Sequence, residues 1–358
     1  MTPLRVALIG YGLAGSTFHA PVISAGPGLR VTAVVTGNPE RKAQVRATLP
    51  DARVLAHADE LWAAADDFDS VVVASPNATH VPLTRAAIAA GLAVVVDKPL
   101  AVSSTDAAEL VELARRHGVL LSTYQNRRWD ADLLTLQRLL AEGALGRVHR
   151  FESRFERWRP RLKPGWRESS DPAAGGGTLL DLGTHLVDQA TYLFGPVARV
   201  YGEVSARRPD AMVDDDVFVA LDHTSGVITH LWASAAAAHG GPRLRVLGHR
   251  GAFVAPDLDP QETALRDGGR PGESGWGEVA EASWPSFWAG DEERRVPAAP
   301  GAWPRFYELW RDALLGKGAV PVDPRDAVIT LRILEAAAES ARSAQVVALG
   351  SPERSGDL

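Results

Sequence analysis

Asp181 and His185 stand four residues apart, with Asp188 and Tyr192 further along and three glycines, Gly175 to Gly177, just ahead of them. Read as a helix at about 100° per residue, Leu179, Leu182, Leu186, Ala190 and Leu193 gather on one face. Asp181, His185, Asp188 and Tyr192 then share the opposite side, within roughly 60° of one another. Imidazole titrates near neutrality, so a histidine among carboxylates suits a site that moves protons. The plainer reading is a hydrogen-bonded pair within one helix, without chemistry. What separates the two is whether other reactive groups converge there.

Two such groups are visible in the first third of the chain. Residues 4–9 read as a strand running into Gly10-Tyr11-Gly12-Leu13-Ala14-Gly15 and then a helix to about Ala25. A G-x-G-x-x-G loop in that position suits a dinucleotide. Gly10 permits the tight turn, Gly12 lets backbone approach a pyrophosphate, and Gly15 allows close packing of the helix. Leu13 and Ala14 open that helix, whose free N–H groups would face the phosphates. The second group is Lys98 in Asp97-Lys98-Pro99, placed where an apolar strand ends. Open α/β sheets bind ligands at that edge, so the ammonium would hydrogen-bond a substrate hydroxyl and stabilise alkoxide charge.

Further cofactor contacts are expected at Asp97 and Lys98 themselves and at Ser75, Pro76 and Asn77, after the preceding strand. His80 reads either as structural or as a modest cofactor contact. The second strand ends in Thr36-Gly37-Asn38-Pro39-Glu40-Arg41, with no acid placed to take a ribose 2′-hydroxyl. Thr36, Asn38 and Arg41 would suit a 2′-phosphate, so NADP is expected ahead of NAD. The alternative is that Arg41 is only a solvated helix charge.

These groups need a scaffold, and the pattern supplies one. Strand-like runs at 29–35, 70–74, 93–96 and 119–122 alternate with helical stretches at 39–48, 81–90 and 103–117. Near-continuous apolar strands between helices mean a doubly wound parallel α/β sheet over residues 1–122. A helix at 131–141 and strands at 147–158, 197–206, 216–223, 227–234 and 243–248 follow. They suggest an α+β domain over 123–323, a largely antiparallel open sheet flanked by helices. Residues 268–304 read as an irregular excursion packed down by tryptophans, and helices are expected at 305–315 and 325–344. Residues 324–358 form a closing helix and a short tail.

Composition narrows the function. A length of 358 residues favours two domains, and a net charge of −6 argues against a nucleic-acid binder. The absence of cysteine removes disulfides, thiol nucleophiles and thiolate metal sites. The apolar runs are far below the roughly 18 residues that span a bilayer, and the start lacks leader features. A cytoplasmic protein with no membrane or nucleic-acid partner is expected.

Together, Gly10–Gly15, Asp97-Lys98-Pro99 and Asp181-x-x-x-His185 resemble the Gfo/Idh/MocA oxidoreductases. That family includes glucose–fructose oxidoreductase and inositol dehydrogenases. Its tripeptide more often begins with Glu; Asp97 keeps the charge. The run from Tyr11 to His19, Tyr124-Gln125-Asn126-Arg127-Arg128-Trp129-Asp130 and residues 175–189 look most like the NADP-dependent scyllo-inositol dehydrogenase branch. The resemblance implies a Rossmann domain and hydride transfer between nicotinamide and a secondary alcohol or ketone of a polyol, inositol or sugar. It also implies Lys98, Asp181 and His185 as catalytic residues, with Tyr124, Asn126 and Arg127 against the substrate. The sheet of the second domain would pair subunits into a homodimer or homotetramer. A cofactor-bound sensor and a redox-assisted glycosidase are the alternatives on this fold.

Arg154, Arg157, Arg159, Arg161, Lys163 and Arg167 form a basic cluster interleaved with Phe155, Trp158 and Trp166. It reads either as a solvated strand and loop or as a loop over the active site, touching a polyol or an acidic group through Trp166 and Arg167. Asp214-Asp215-Asp216 reads as a turn at a strand start, with no metal expected.

Overall fold

The computed structural model describes residues 2–163 and 165–350. The first sheet is built from β1 (Leu4–Ile9), β2 (Leu29–Val35), β3 (Arg53–Leu55), β4 (Ser70–Val73), β5 (Ala93–Asp97) and β6 (Leu121–Tyr124). All pairings are parallel, in the order β3-β2-β1-β4-β5-β6. Its helices are α1 (Ala20–Ala25), α2 (Pro39–Thr48), α3 (Ala58–Trp62), α4 (His80–Ala89) and α5 (Ser104–His117). Val71, Val72 and Val73 of β4 and Val94, Val95 and Val96 of β5 are all fully buried, because helices cover both faces of the sheet. Strand order reverses between β1 and β4, opening a crevice above their carboxyl ends. β6 runs through Tyr124, two residues past the boundary expected at 122.

The second domain carries α6 (Ala131–Ala141), β7 (Val148–Glu156), α7 (Thr178–Asp181), α8 (Gly183–Phe194), β8 (Val197–Ser205), β9 (Asp216–His223) and β10 (Ile228–Ser234). It continues through β11 (Leu244–Gly248), β12 (Ala252–Ala255), α9 (Gln261–Arg266), β13 (Ser286–Ala289), β14 (Glu292–Arg295), α10 (Pro304–Leu314), α11 (Pro324–Ser343) and β15 (Val347–Ala348). Nine strands lie in the order β14-β13-β12-β11-β7-β10-β9-β8-β15, antiparallel except for β7 beside β10. Residues 268–304 are therefore not irregular throughout, since β13 and β14 form a hairpin that extends the sheet.

Burial alternates along β9, with Val217, Val219, Leu221 and His223 inward. This is the mark of a sheet covered on one side. α8 and α11 supply the cover. α11 also packs on α5, and its Glu335 accepts hydrogen bonds from Ser104 N–H at 2.7 Å and Ser104 hydroxyl at 2.6 Å. α10 and the residue before it bury Trp303, Phe306, Tyr307 and Trp310 with residues of the first sheet. The tail at 351–358 lies outside the described residues.

Candidate active site

α7 starts where Gly177 holds φ at +94°, and a Cβ there would lie 2.2 Å from Asp214 Oδ1, so only glycine fits. Asp214 is close because it caps α7: its Oδ2 accepts from Leu179 N–H at 2.6 Å, and its carbonyl from Thr178 N–H at 2.9 Å. Asp215 accepts from the backbone N–H groups of Arg207 and Arg208 at 2.7 and 3.1 Å. The expected single helix is broken at Leu182, between α7 and α8.

The break matters for the chemistry, because Asp181 does not touch His185. Lys98 crosses from the end of β5 and donates to Asp181 twice, to its carbonyl at 2.5 Å and to Oδ1 at 2.8 Å. Arg167, stacked over Trp166 at 4.3 Å, donates to Asp181 Oδ2 at 2.9 Å. Burial pushes the Asp181 carboxyl up, and Lys98 and Arg167 outweigh it, holding the group well below the usual carboxylate range.

His185 has a different anchor, which sequence reasoning missed. Its Nδ1 lies 3.1 Å from Gln125 Oε1, just past the end of β6. With that oxygen accepting, Nδ1 carries the proton and Nε2 is left bare. Burial, then the charges of Lys98 and Arg127, push His185 well below the ordinary imidazole range, while Asp181 pulls the other way. Only the adjacency of Gln125 to Asn126 and Arg127 pointed to it in the sequence.

Several expected contacts have other work. Asp188, 1% exposed, is held by Arg128 through bonds of 2.8 and 2.6 Å, so it is not part of a proton-moving face. Tyr192 lies outside, with the Arg128 guanidinium 4.5 Å over its ring. Tyr124 is buried against His19 and Phe306, its hydroxyl donating to Phe18 O at 3.3 Å, and burial pushes that hydroxyl far up. The Arg127 guanidinium is committed to Asp130 at 3.3 Å and Glu262 at 2.6 Å. Tyr124 and Arg127, expected as substrate contacts, are both buried and have these protein partners. Asn126 opens the 3₁₀ turn Asn126–Trp129, which contains Arg127.

On the cofactor side, a Cβ on Gly15 would lie 2.0 Å from Gly10 O, so the helix start sits directly on the loop. The atoms nearest to a Cβ on Gly12 would be those of the Arg41 guanidinium, the first at 3.6 Å. Bare backbone and a cation thus face the same space over the loop, which fits the phosphates of a dinucleotide. Asn38 caps α2, accepting from Arg41 N–H at 3.0 Å, and Thr36 is buried beside it. Asn77 donates to Gly175 O at 3.2 Å, tying the crevice to the glycine run. The buried His80 ring sits between Pro99 O at 2.7 Å and Ser75 O at 2.9 Å, so it links two loops structurally.

Comparison with known proteins agrees with this architecture. Residues 4–125 match the family model described as an oxidoreductase family, NAD-binding Rossmann fold, and residues 137–349 match its C-terminal alpha/beta domain. The chain is 41% identical over 342 residues to the uncharacterized oxidoreductase YdgJ of Escherichia coli, covering 95% of this chain and 96% of that one. It is 32% identical over 356 residues to the scyllo-inositol 2-dehydrogenase (NADP(+)) IolW of Bacillus subtilis, covering 97% and 96%. The solved structure of yvaA from Bacillus subtilis superposes with a TM-score of 0.92 at 30% identity, covering 98% of this chain and 99% of that one. The chain belongs to the Gfo/Idh/MocA oxidoreductase family.

Proposed function

We propose that this protein interconverts a secondary alcohol and a ketone on a polyol, inositol or sugar, with NADP as the hydride carrier. The observation that carries the reading is that Lys98 of one domain, bonded to Asp181, lies within electrostatic range of His185 in the other. The Gly10–Gly15 loop and Arg41 would hold the dinucleotide, which when bound would supply the hydride chemistry. Nε2 of His185 takes the proton of the alcohol, while Gln125 holds Nδ1–H. Lys98 has three N–H donors and spends two on Asp181, which leaves the third for the reacting oxygen. Asp181 keeps that ammonium in place. Asn126, Trp166 and Arg167 are the side chains proposed to line the substrate mouth. The likeness to an enzyme named for scyllo-inositol supports a cyclic polyol among the substrates.

A screen of inositols, aldoses and small ketones with both nicotinamides, followed by reduced-nicotinamide absorbance, tests the reading. Turnover with NADP is the expected result, and silence throughout favours a cofactor-bound sensor. Arg41 over Gly12 supports the 2′-phosphate. Arg41→Ala is expected to lower the NADP-to-NAD ratio of kcat/KM by about 10-fold or more. An unchanged ratio would show that Arg41 does not read the ribose.

We infer further that two or four copies associate through the outer face of the nine-stranded sheet. Tyr201, Phe218, His230 and Trp232 stack there at centroid spacings of 5.2 to 6.3 Å, beside a hollow of about 390 Å³. Trp158 is 58% exposed. The four stacked rings are partly exposed, and contiguous aromatic surface of this kind marks an association site. Light scattering on a sizing column is expected to give a dimer or tetramer, with Trp232→Glu shifting it toward monomer. A monomeric wild type removes the inference. No helix among the described residues is long and apolar enough to cross a membrane, and we place the protein in the cytoplasm.

A further inference from the structure

Three arginines surround the Phe155 ring, whose centroid lies 6.3 Å from that of His185. Arg243 approaches the ring at 4.2 Å, Arg127 at 4.8 Å and Arg157 at 6.0 Å. Two of them are matched by acceptors. Arg243 binds Asp132, Gln189 and the Ser153 hydroxyl, and Arg127 binds Asp130 and Glu262. Arg157 has no side-chain hydrogen bond and no ion pair among the described residues.

The backbone determines where Arg157 points. Its N–H donates to Ser234 O at 2.8 Å, the last bond of the parallel β7–β10 register. Arg159 N–H donates to Ala235 O at 2.8 Å, one residue out of step, and Trp158 makes an isolated antiparallel bridge to Ala236. Side chains alternate along an extended strand, so Arg157 falls on the inner face with Phe155, and Trp158 on the outer face. That inner face is the one toward His185. The acids that act most strongly on Arg157 are Glu262 and Asp181. Both are occupied. The two oxygens of Asp181 accept from Lys98 and Arg167, and those of Glu262 from Arg127 at 2.6 Å and Arg266 at 2.8 Å. Burial and the neighbouring Arg159 push the Arg157 guanidinium below its ordinary pKa, as expected of a cation short of counter-charge.

The Arg157 guanidinium is partly buried, keeps contact with water and has no protein acceptor among the described residues, so its planar fork is open to a carboxylate or a phosphate. We propose that Arg157 is an anion subsite beside the reacting centre, and that the preferred substrate is an acidic polyol, a sugar or cyclitol bearing a carboxylate or phosphate. The proposal rests on the dehydrogenase reading for the identity of the substrate, and only on the geometry around Arg157 for the anion.

Calorimetric binding to the protein saturated with NADP tests it, using two matched pairs: glucuronate against glucuronamide, and glucose 6-phosphate against glucose. One charged probe is expected to bind about 10- to 100-fold more tightly than its neutral partner. Which pair shows the difference separates carboxylate from phosphate. Arg157→Gln should bring that ratio close to one, and Arg157→Lys, which keeps the charge without the fork, should leave it in between. Equal affinities within both wild-type pairs overturn the subsite, as does a preference that survives in Arg157→Gln. Should Arg157→Gln not fold, the wild-type pairs and Arg157→Lys decide. Binding is read without turnover, so the two readings fail separately. A charged preference without hydride transfer sinks the dehydrogenase. Turnover of neutral polyols without a charged preference sinks the subsite.

Discussion

His185→Ala and Lys98→Ala are each expected to lower kcat about 100-fold or more, for different reasons. Alanine at 185 removes the only basic nitrogen that Gln125 orients. Alanine at 98 removes the donor proposed for the reacting oxygen and leaves the Asp181 carboxylate with Arg167 as its remaining ion-pair partner among the described residues. The pH dependence separates them. A base works only when unprotonated, so alcohol oxidation is lost as pH falls through the pKa of His185. Burial holds that pKa well below the ordinary value of 6.5, so the acid limb of kcat/KM is expected below it. His185→Ala should abolish that limb along with most of the rate. Near-wild-type turnover in both variants, or a wild-type limb above the ordinary imidazole range, would remove His185 from the role of base.

Arg128→Ala is expected to cost about 3–5 kcal/mol of stability, the cost of breaking a buried ion pair from one side. The Arg128 fork grips Asp188 on α8 through two bonds and reaches Asp326 on α11 at 2.8 Å. Asp188 is 1% exposed, and without Arg128 its charge has no counter-ion in the described contacts. Denaturant midpoints with constant slope measure the loss. Pairing Arg128→Met with Asp188→Leu should recover much of it, since neither charge is then stranded. A cost under about 1 kcal/mol for Arg128→Ala would show the pair to be incidental.

The same residues show what could be read in advance. β1 and β2 are legible to the residue because each is largely apolar, ends in an uninterrupted apolar stretch and stops at or just before a glycine. β3 has three residues, too few to display a period. β6 begins two residues later than expected and contains the buried Ser122 and Thr123; Ser122 reconciles its hydroxyl with burial by donating to Val322 O at 2.8 Å. β14 is Glu-Glu-Arg-Arg, fully exposed, and carries no apolar signal at all.

Within the site, Lys98, Asp181 and His185 were all nameable from local spacing, but their pairing was not. Helical periodicity puts Asp181, His185 and Asp188 on one face. Which partner each takes depends on residues 60 to 83 positions away, namely Gln125, Arg128 and Lys98. Separations of that kind leave no trace in a window of 18 residues or fewer.

Glu335 reaching over to Ser104 makes α11 a splint between the two halves of the molecule. A 20-residue helix is a rod of roughly 30 Å, and this one lies on α5 at one side and along β8 and α8 at the other. The gap that Lys98 must bridge is then set by the thickness of a helix rather than by the play of a linker. Alignment of the two reactive groups becomes a built-in dimension, present before any ligand arrives.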